Sequence, residues 1–277
     1  FSAILWAPAL FWAYAHKSMP ANIWRAALVP SIFNTLGQLL FGLAPYYVDP
    51  GLMTFSLRMQ IVFVTVGAAV LFPAERRIVR TPVFLAGLVI VFLGTMGTIA
   101  FKPGGLGGGT GLGIAMSISS GLLYACYSLS VRHYMQGMNP LVAFAAISQY
   151  TAIGLLVPML FYGEQHGMHA LDLPARDFSL LLLSSLIGIG LGHTFYYISI
   201  ARLGVAVSAG VIQLQPFLVA AASFFLFGER LAMAQWSSGA AAVLGAAIIL
   251  TAQNRLSRAD RRAREAILCA ICGSDLS

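Results

Sequence analysis

The sequence predicts an all-α integral membrane protein, and three observations carry that prediction. Only 9% of the 277 residues are charged, against about 25% in a water-soluble domain. Hydrophobic residues make up 59%, and the mean hydropathy is +0.84. The apolar residues also fall into runs of about 20, the length that crosses a ~30 Å hydrocarbon core. Backbone polar groups in lipid must be satisfied within the segment, so such runs fold as helices.

Hydropathy places nine spans, a to i, at residues 1–15, 25–45, 51–72, 81–101, 111–132, 140–162, 179–200, 204–227 and 233–252. The loops between them are short, so successive helices are antiparallel neighbours. The longest connection, Tyr162 to Asp177, carries Glu164, Asp172, Pro174 and Asp177 and reads as an exposed excursion.

A net charge of +7 raises the question of nucleic acid, but the charges lie between spans and in the tail, where basic residues set membrane orientation. No nucleic-acid partner is expected. One side holds Lys17, Arg25, Arg76, Arg77, Arg80, Arg132, Arg202, Arg255, Arg258, Arg261, Arg262 and Arg264; the other holds Lys102, Arg176 and Arg230. The first set is expected to be cytoplasmic, with the C-terminus inside. Nine spans then start Phe1 outside, and one further span before it would resolve the topology, so the chain reads as N-terminally truncated. The tail, 253–277, is expected either to lie on an anionic inner leaflet as a basic helix or to serve as a solvated topology signal.

Cys269 and Cys272 form a lone C-x-x-C in this tail. One pair supplies too few ligands for structural zinc, so neither metal nor cofactor is expected. Gly104 to Gly111 resembles a phosphate loop only superficially: it lacks the Lys and Ser/Thr ending, and no strand precedes it. It reads as a flexible outer linker, 102–110, joining two halves, 1–101 and 111–252.

The halves carry an internal repeat. A shift of 154 residues aligns Phe41 to Arg76 with Phe195 to Arg230 without a gap. Phe41 then meets Phe195, Phe63 meets Phe217, Glu75-Arg76 meets Glu229-Arg230, and Pro50 falls opposite Gly204 at a turn. The second half has five spans and the first four. A five-span unit repeated in tandem inserts with opposite orientation, an arrangement linked to alternating access in carriers. Arg76 on the inner side and Arg230 on the outer side agree.

The stretch Phe227-Gly228-Glu229-Arg230-Leu231, with Gln235-Trp236 and Gly239 and then a small-residue apolar helix, resembles the second repeat of the EamA-type transporters of the drug/metabolite transporter superfamily. Tyr196-Tyr197, and Ala206 to Phe217 with Gln215-Pro216, fit the same pattern. In the first half Ala74-Glu75-Arg76-Arg77 stands where the family has Gly-Glu-Arg-Leu. The resemblance implies ten helices in two inverted five-helix repeats around a central cavity, here with the first helix missing and nine spans visible. It also implies export of small metabolites, amino acids or drugs across a bacterial cytoplasmic membrane. Such a duplicated unit encloses one cavity and is expected to work as a monomer or weak homo-oligomer in contact with membrane lipids.

Polar residues at membrane depth are costly and mark candidate cavity walls. Span b offers Asn34 and Gln38, one turn apart. Span c has Arg58, the only charge well inside a span, which faces either the bundle interior or snorkels outward. Span e carries a stripe of Ser117, Ser120, Tyr124 and Ser128, which reads as a cavity wall or as close helix packing. Span f contributes Ser148, Gln149 and Tyr150, and span g has Gly190, His193, Tyr196 and Tyr197 on one face. Span h holds Gln213, Gln215 and Pro216, where the missing N–H predicts a kink.

No Asp or Glu lies deep in any span, which argues against proton-coupled antiport of cationic drugs. A neutral or zwitterionic substrate fits better, with Arg58 meeting a carboxylate. H-E-x-x-H, G-x-S-x-G and an intramembrane aspartate pair are all missing, so an enzyme is not expected. A membrane-embedded enzyme and a non-transporting scaffold stand as the alternatives to a secondary transporter.

Overall fold

The computed structural model describes residues 2–101, 106–163, 166–168, 172–228 and 232–274. Lys102, Glu164, Glu229 and Arg230, which entered the charge and repeat arguments, lie outside the described residues.

Among the described residues thirteen α-helices follow one another: α1 Ser2–Ala15, α2 Ile23–Leu43, α3 Pro50–Leu57, α4 Gln60–Leu71, α5 Pro73–Val79, α6 Pro82–Ala100, α7 Gly111–Tyr134, α8 Pro140–Tyr162, α9 Ala175–Ser184, α10 Gly192–Leu203, α11 Val205–Ile212, α12 Gln215–Phe227 and α13 Met233–Ser274. A π-helical segment, Ser185–Leu191, joins α9 to α10. Among the described residues the only β pairing is the isolated bridge of Val48 with Gly109.

Local chemistry sets several of the helix starts. Thr81 accepts the Phe84 N–H at the start of α6, Thr110 accepts the Gly113 N–H at α7, and the Asn139 side chain accepts the Leu141 N–H at α8. Pro82 and Pro140 follow two of these caps, where a missing N–H costs nothing. At the other end of α4, Arg76 donates to the carbonyls of Ala69 and Val70 at 2.7 and 3.1 Å, satisfying acceptors that the helix leaves free.

Among the described residues eight helical segments are long and apolar enough to cross a membrane, where hydropathy placed nine. The difference is span a. Its helix, α1, has 14 residues, about 21 Å at 1.5 Å per residue, and falls short of a ~30 Å core. The other predicted spans are found within a few residues. Span c is divided between α3 and α4, span h between α11 and α12, and span i continues without a break to Ser274 as part of the 42-residue α13. The tail backbone is therefore helical as far as Ser274.

Two compact units emerge, residues 1–67 with 106–208 and residues 68–105 with 209–277. Each takes segments from both sequence halves. In the second unit α6 and α13 run backbone to backbone. A Cβ on Gly94 would sit 2.5 Å from the Ala242 nitrogen, and one on Gly245 would sit 2.4 Å from the Val91 nitrogen. Only glycine permits that approach, the usual device of helix association in lipid. Thr95 donates to the Gln213 carbonyl at 2.7 Å, and the Gln235 amide donates to the Thr98 carbonyl at 3.1 Å.

The first unit packs α2 between α7 and α8. Ser120 on α7 donates to the Gly37 carbonyl at 2.8 Å, and the Tyr124 ring lies against Gly37. Asn34 donates to Thr151 on α8 at 3.0 Å. Trp6 of α1 lies over Gly190 of the π segment. The linker is not slack where it is described: Leu106–Thr110 is tied to the turn before α3. Gly108 N–H donates to the Asp49 carboxylate at 2.7 Å, Asp49 N–H to the Gly108 carbonyl at 2.9 Å, and Thr110 N–H to the Tyr47 carbonyl at 2.9 Å.

Candidate ligand cavity

In the first unit, α1, α2, α8, the π segment and α10 line an open cavity of about 610 Å³. Five residues singled out by their polarity at membrane depth line it together: Asn34, Gln38, Ser148, Gln149 and His193. Sequence reasoning had not picked Phe144, Thr151 or Ser185 for the same wall. A signal was available for the first two. Phe144, Ser148 and Thr151 recur at helical spacing on α8, the pattern that puts side chains on one face. Ser185 was hidden because the π segment changes the register of span g.

The polar groups are held in place by internal bonds. Gln38 donates to the Asn34 side-chain oxygen at 3.4 Å, and Asn34 donates onward to Thr151. Gln149 donates to the Ala3 carbonyl at 2.8 Å. His193 Nδ1 lies 3.0 Å from the Ile189 carbonyl, one helical turn back. Among the described lining residues none is charged.

A second cavity of similar size, about 610 Å³, lies at the other end of α8, lined by Arg132, Met135, Ala143, Tyr197 and Arg202 among others. A layer of aromatic rings stands between the two. His193 stacks on Phe144 with centroids 5.3 Å apart, and Tyr197 meets the same ring edge-on at 5.9 Å. Tyr127 sits 6.1 Å from His193 and shares a buried hydrogen bond with the Tyr197 hydroxyl. Phe144 and Tyr197 are each almost fully buried.

The remaining candidates are placed elsewhere. Tyr196 donates to Ser128 at 3.1 Å, and Tyr124 packs on Gly37 and edge-on to Phe41. Ser117 and Ser120 bond to backbone carbonyls within closely packed helices, so this part of the span e stripe is packing. Arg58 lies outside the lining of both cavities, in the interruption between α3 and α4. Its Nε is buried without a hydrogen-bond partner. The interruption arises where α7 comes close: a Cβ on Gly121 would lie 2.9 Å from the Leu57 carbonyl. There the amides of Arg58, Met59, Ile61 and Val62 bond three residues back, the tighter 3₁₀ pattern.

In the second unit Gln213 is 1% exposed, with its side-chain carbonyl lacking a partner, and Gln215 is exposed. Span h is interrupted at Gln213 and Leu214, and Pro216 falls in the first turn of α12. A proline there needs no intrahelical N–H bond, and its ring leaves the Ile212 carbonyl without the usual donor.

Many apolar helices with polar groups turned inward, and a cavity without charge in its described lining, define a polytopic membrane protein of the carrier type. The EamA-like transporter family matches residues 111–251, about half of the chain, and the chain belongs to that family. Among curated proteins none matches by sequence. A protein known from a crystal structure shares the fold, with a TM-score of 0.63 at 16% identity, over 92% of this chain and 96% of that one.

Proposed function

We propose that this protein is a secondary transporter that moves small neutral or zwitterionic metabolites, amino acids among them, outward by alternating access. The observation that carries this reading is the pair of cavities along α8 with one aromatic layer between them. A carrier needs a site reached from each side in turn, and a thin movable barrier beside the site meets that need. Phe144, His193, Tyr197 and Tyr127 form the barrier, and Asn34, Gln38, Gln149 and His193 form the binding wall. Outward transport is the direction that the family resemblance implies.

The interruptions of the two divided spans support the inverted repeat. Under the 154-residue shift, Arg58-Met59 falls opposite Ile212-Gln213, one residue from the second interruption at Gln213–Leu214. Discontinuous helices at corresponding places in two halves are a frequent mark of transport sites. The twelve-to-three charge asymmetry supports a cytoplasmic C-terminus in a bacterial inner membrane.

Cells expressing the protein should survive a toxic amino-acid analogue better than cells without it, and Ser148→Trp, which fills the cavity, should abolish the protection. Protection unchanged by Ser148→Trp would remove the cavity from the account.

A further inference from the structure

We propose that the second cavity, where α7 and α10 end and α8 begins, binds amphipathic carboxylates, with the carboxylate held by Arg132 and Arg202 and the apolar body lodged inward against Tyr197. That this cavity admits substrate to the transport path rests on the carrier reading above; what it binds does not.

The lining divides into two zones. Val131, Met135, Ala143, Tyr197 and Ile200 are buried, while Gln136, Gly137 and Arg202 are exposed. In the buried zone the only polar side-chain atom is the Tyr197 hydroxyl, which is already bonded to that of Tyr127. An apolar group therefore fits there. Met135 and Met138 are flexible, polarisable side chains that adapt to different shapes. The volume, about 610 Å³, lies within the roughly 300–1,000 Å³ of small-molecule sites.

The outer zone carries positive charge. Arg132 lies in the last turn of α7 and Arg202 in the last turn of α10, and both line this one cavity. Arg132 Nη1 donates to the Ile200 carbonyl at 3.4 Å. A neutral carbonyl places the guanidinium beside α10 without cancelling its charge. Among the described lining residues there is no Asp or Glu. A guanidinium offers five N–H donors in a planar fork that matches a carboxylate. A small inorganic anion would leave the buried zone empty. A lipid headgroup would do the same, because its acyl chains belong in the bilayer. A carboxylate with an apolar body fills both zones.

The test is binding to the purified protein in nonionic detergent, by calorimetry and thermal stabilisation, with 3-phenylpropionate, its neutral isostere 3-phenylpropionamide, and acetate. The first should bind at least about tenfold more tightly than the amide, the scale of one charge-assisted hydrogen bond. It should exceed acetate by a similar factor, the scale of burying a ring. Arg132→Gln should weaken the acid by about tenfold and leave the amide unmoved. Arg202→Gln, at an exposed position, should weaken it by about three- to fivefold and serves if the first variant does not fold. Acid and amide binding equally, acetate binding as well as the acid, an acid affinity unmoved by the folded variants, or no binding of the acid would overturn the proposal. So would a co-purified anionic lipid, seen by native mass spectrometry, that the acid does not displace. Acid binding that depends on the arginines, in a protein without exchange activity, would keep the site and overturn the carrier reading instead.

Discussion

The imidazole of His193 lies face to face with the ring of Phe144, centroids 5.3 Å apart and planes at 19°. Phe144 also lines one cavity and touches Tyr197, which lines the other. Truncating this ring removes both contacts at once. Phe144→Ala should cost about 3–5 kcal/mol of stability, and Phe144→Leu less. In proteoliposomes Phe144→Leu should also let substrate leak down its gradient without exchange. A variant as tight as the wild type would show that the layer is packing and not a barrier.

Thr95 holds the second interrupted helix through its bond to the Gln213 carbonyl. Thr95→Val keeps the shape but leaves a buried acceptor unpaired, at a cost of about 1–3 kcal/mol. Thr95→Ser should recover most of it. Denaturation midpoints of the three proteins in detergent decide this, and equal midpoints for Val and Thr would contradict it.

The α6–α13 contact depends on small residues. Gly94→Leu would place a Cβ 2.5 Å from the Ala242 nitrogen, with three further carbons behind it. Backbone cannot yield as a side-chain tip can, so the two helices must separate. The expected outcome is loss of the monodisperse peak in size-exclusion chromatography, whereas Gly42→Leu, with open space around its Cβ, should be tolerated.

Arg58 leaves its Nε buried without a partner. Replacing a poorly satisfied polar group by an apolar one of similar length is neutral or stabilising. Arg58→Met should therefore melt no lower than the wild type, yet transport amino acids more slowly while leaving uptake of a decarboxylated amine unchanged. Unchanged transport of both classes would remove Arg58 from the substrate path.

The C-terminal helix reaches Ser274, well beyond the ~20 residues that a bilayer requires. A cytoplasm-dependent fluorescent reporter fused after Ser277 should glow, and a periplasm-dependent phosphatase in the same place should be inactive. The reverse pattern would invert the topology.

Most of the bundle was legible because length and hydropathy alone decide where a chain crosses lipid, and Asn34, Gln38, Gln149 and His193 stood out by the cost of burying them there. Other features had no local signal. Leu57-Arg58-Met59-Gln60 contains neither Gly nor Pro, and its interruption comes with the close approach of Gly121 on a distant helix. The π segment carries Gly188 and Gly190, but Trp6 seated over Gly190 is a tertiary contact. Tyr124 and Tyr196 looked like cavity residues as much as His193 did. They are set apart by the packing each ring finds, and that follows from the fold and not from spacing along a helix.

The central claim, that substrate passes through the cavity beside the aromatic layer, is tested most directly by counterflow exchange of labelled phenylalanine in proteoliposomes holding either wild-type protein or Ser148→Trp. Wild-type protein should exchange the label, and folded Ser148→Trp should not exceed empty liposomes. Exchange by Ser148→Trp at the wild-type rate would contradict the claim.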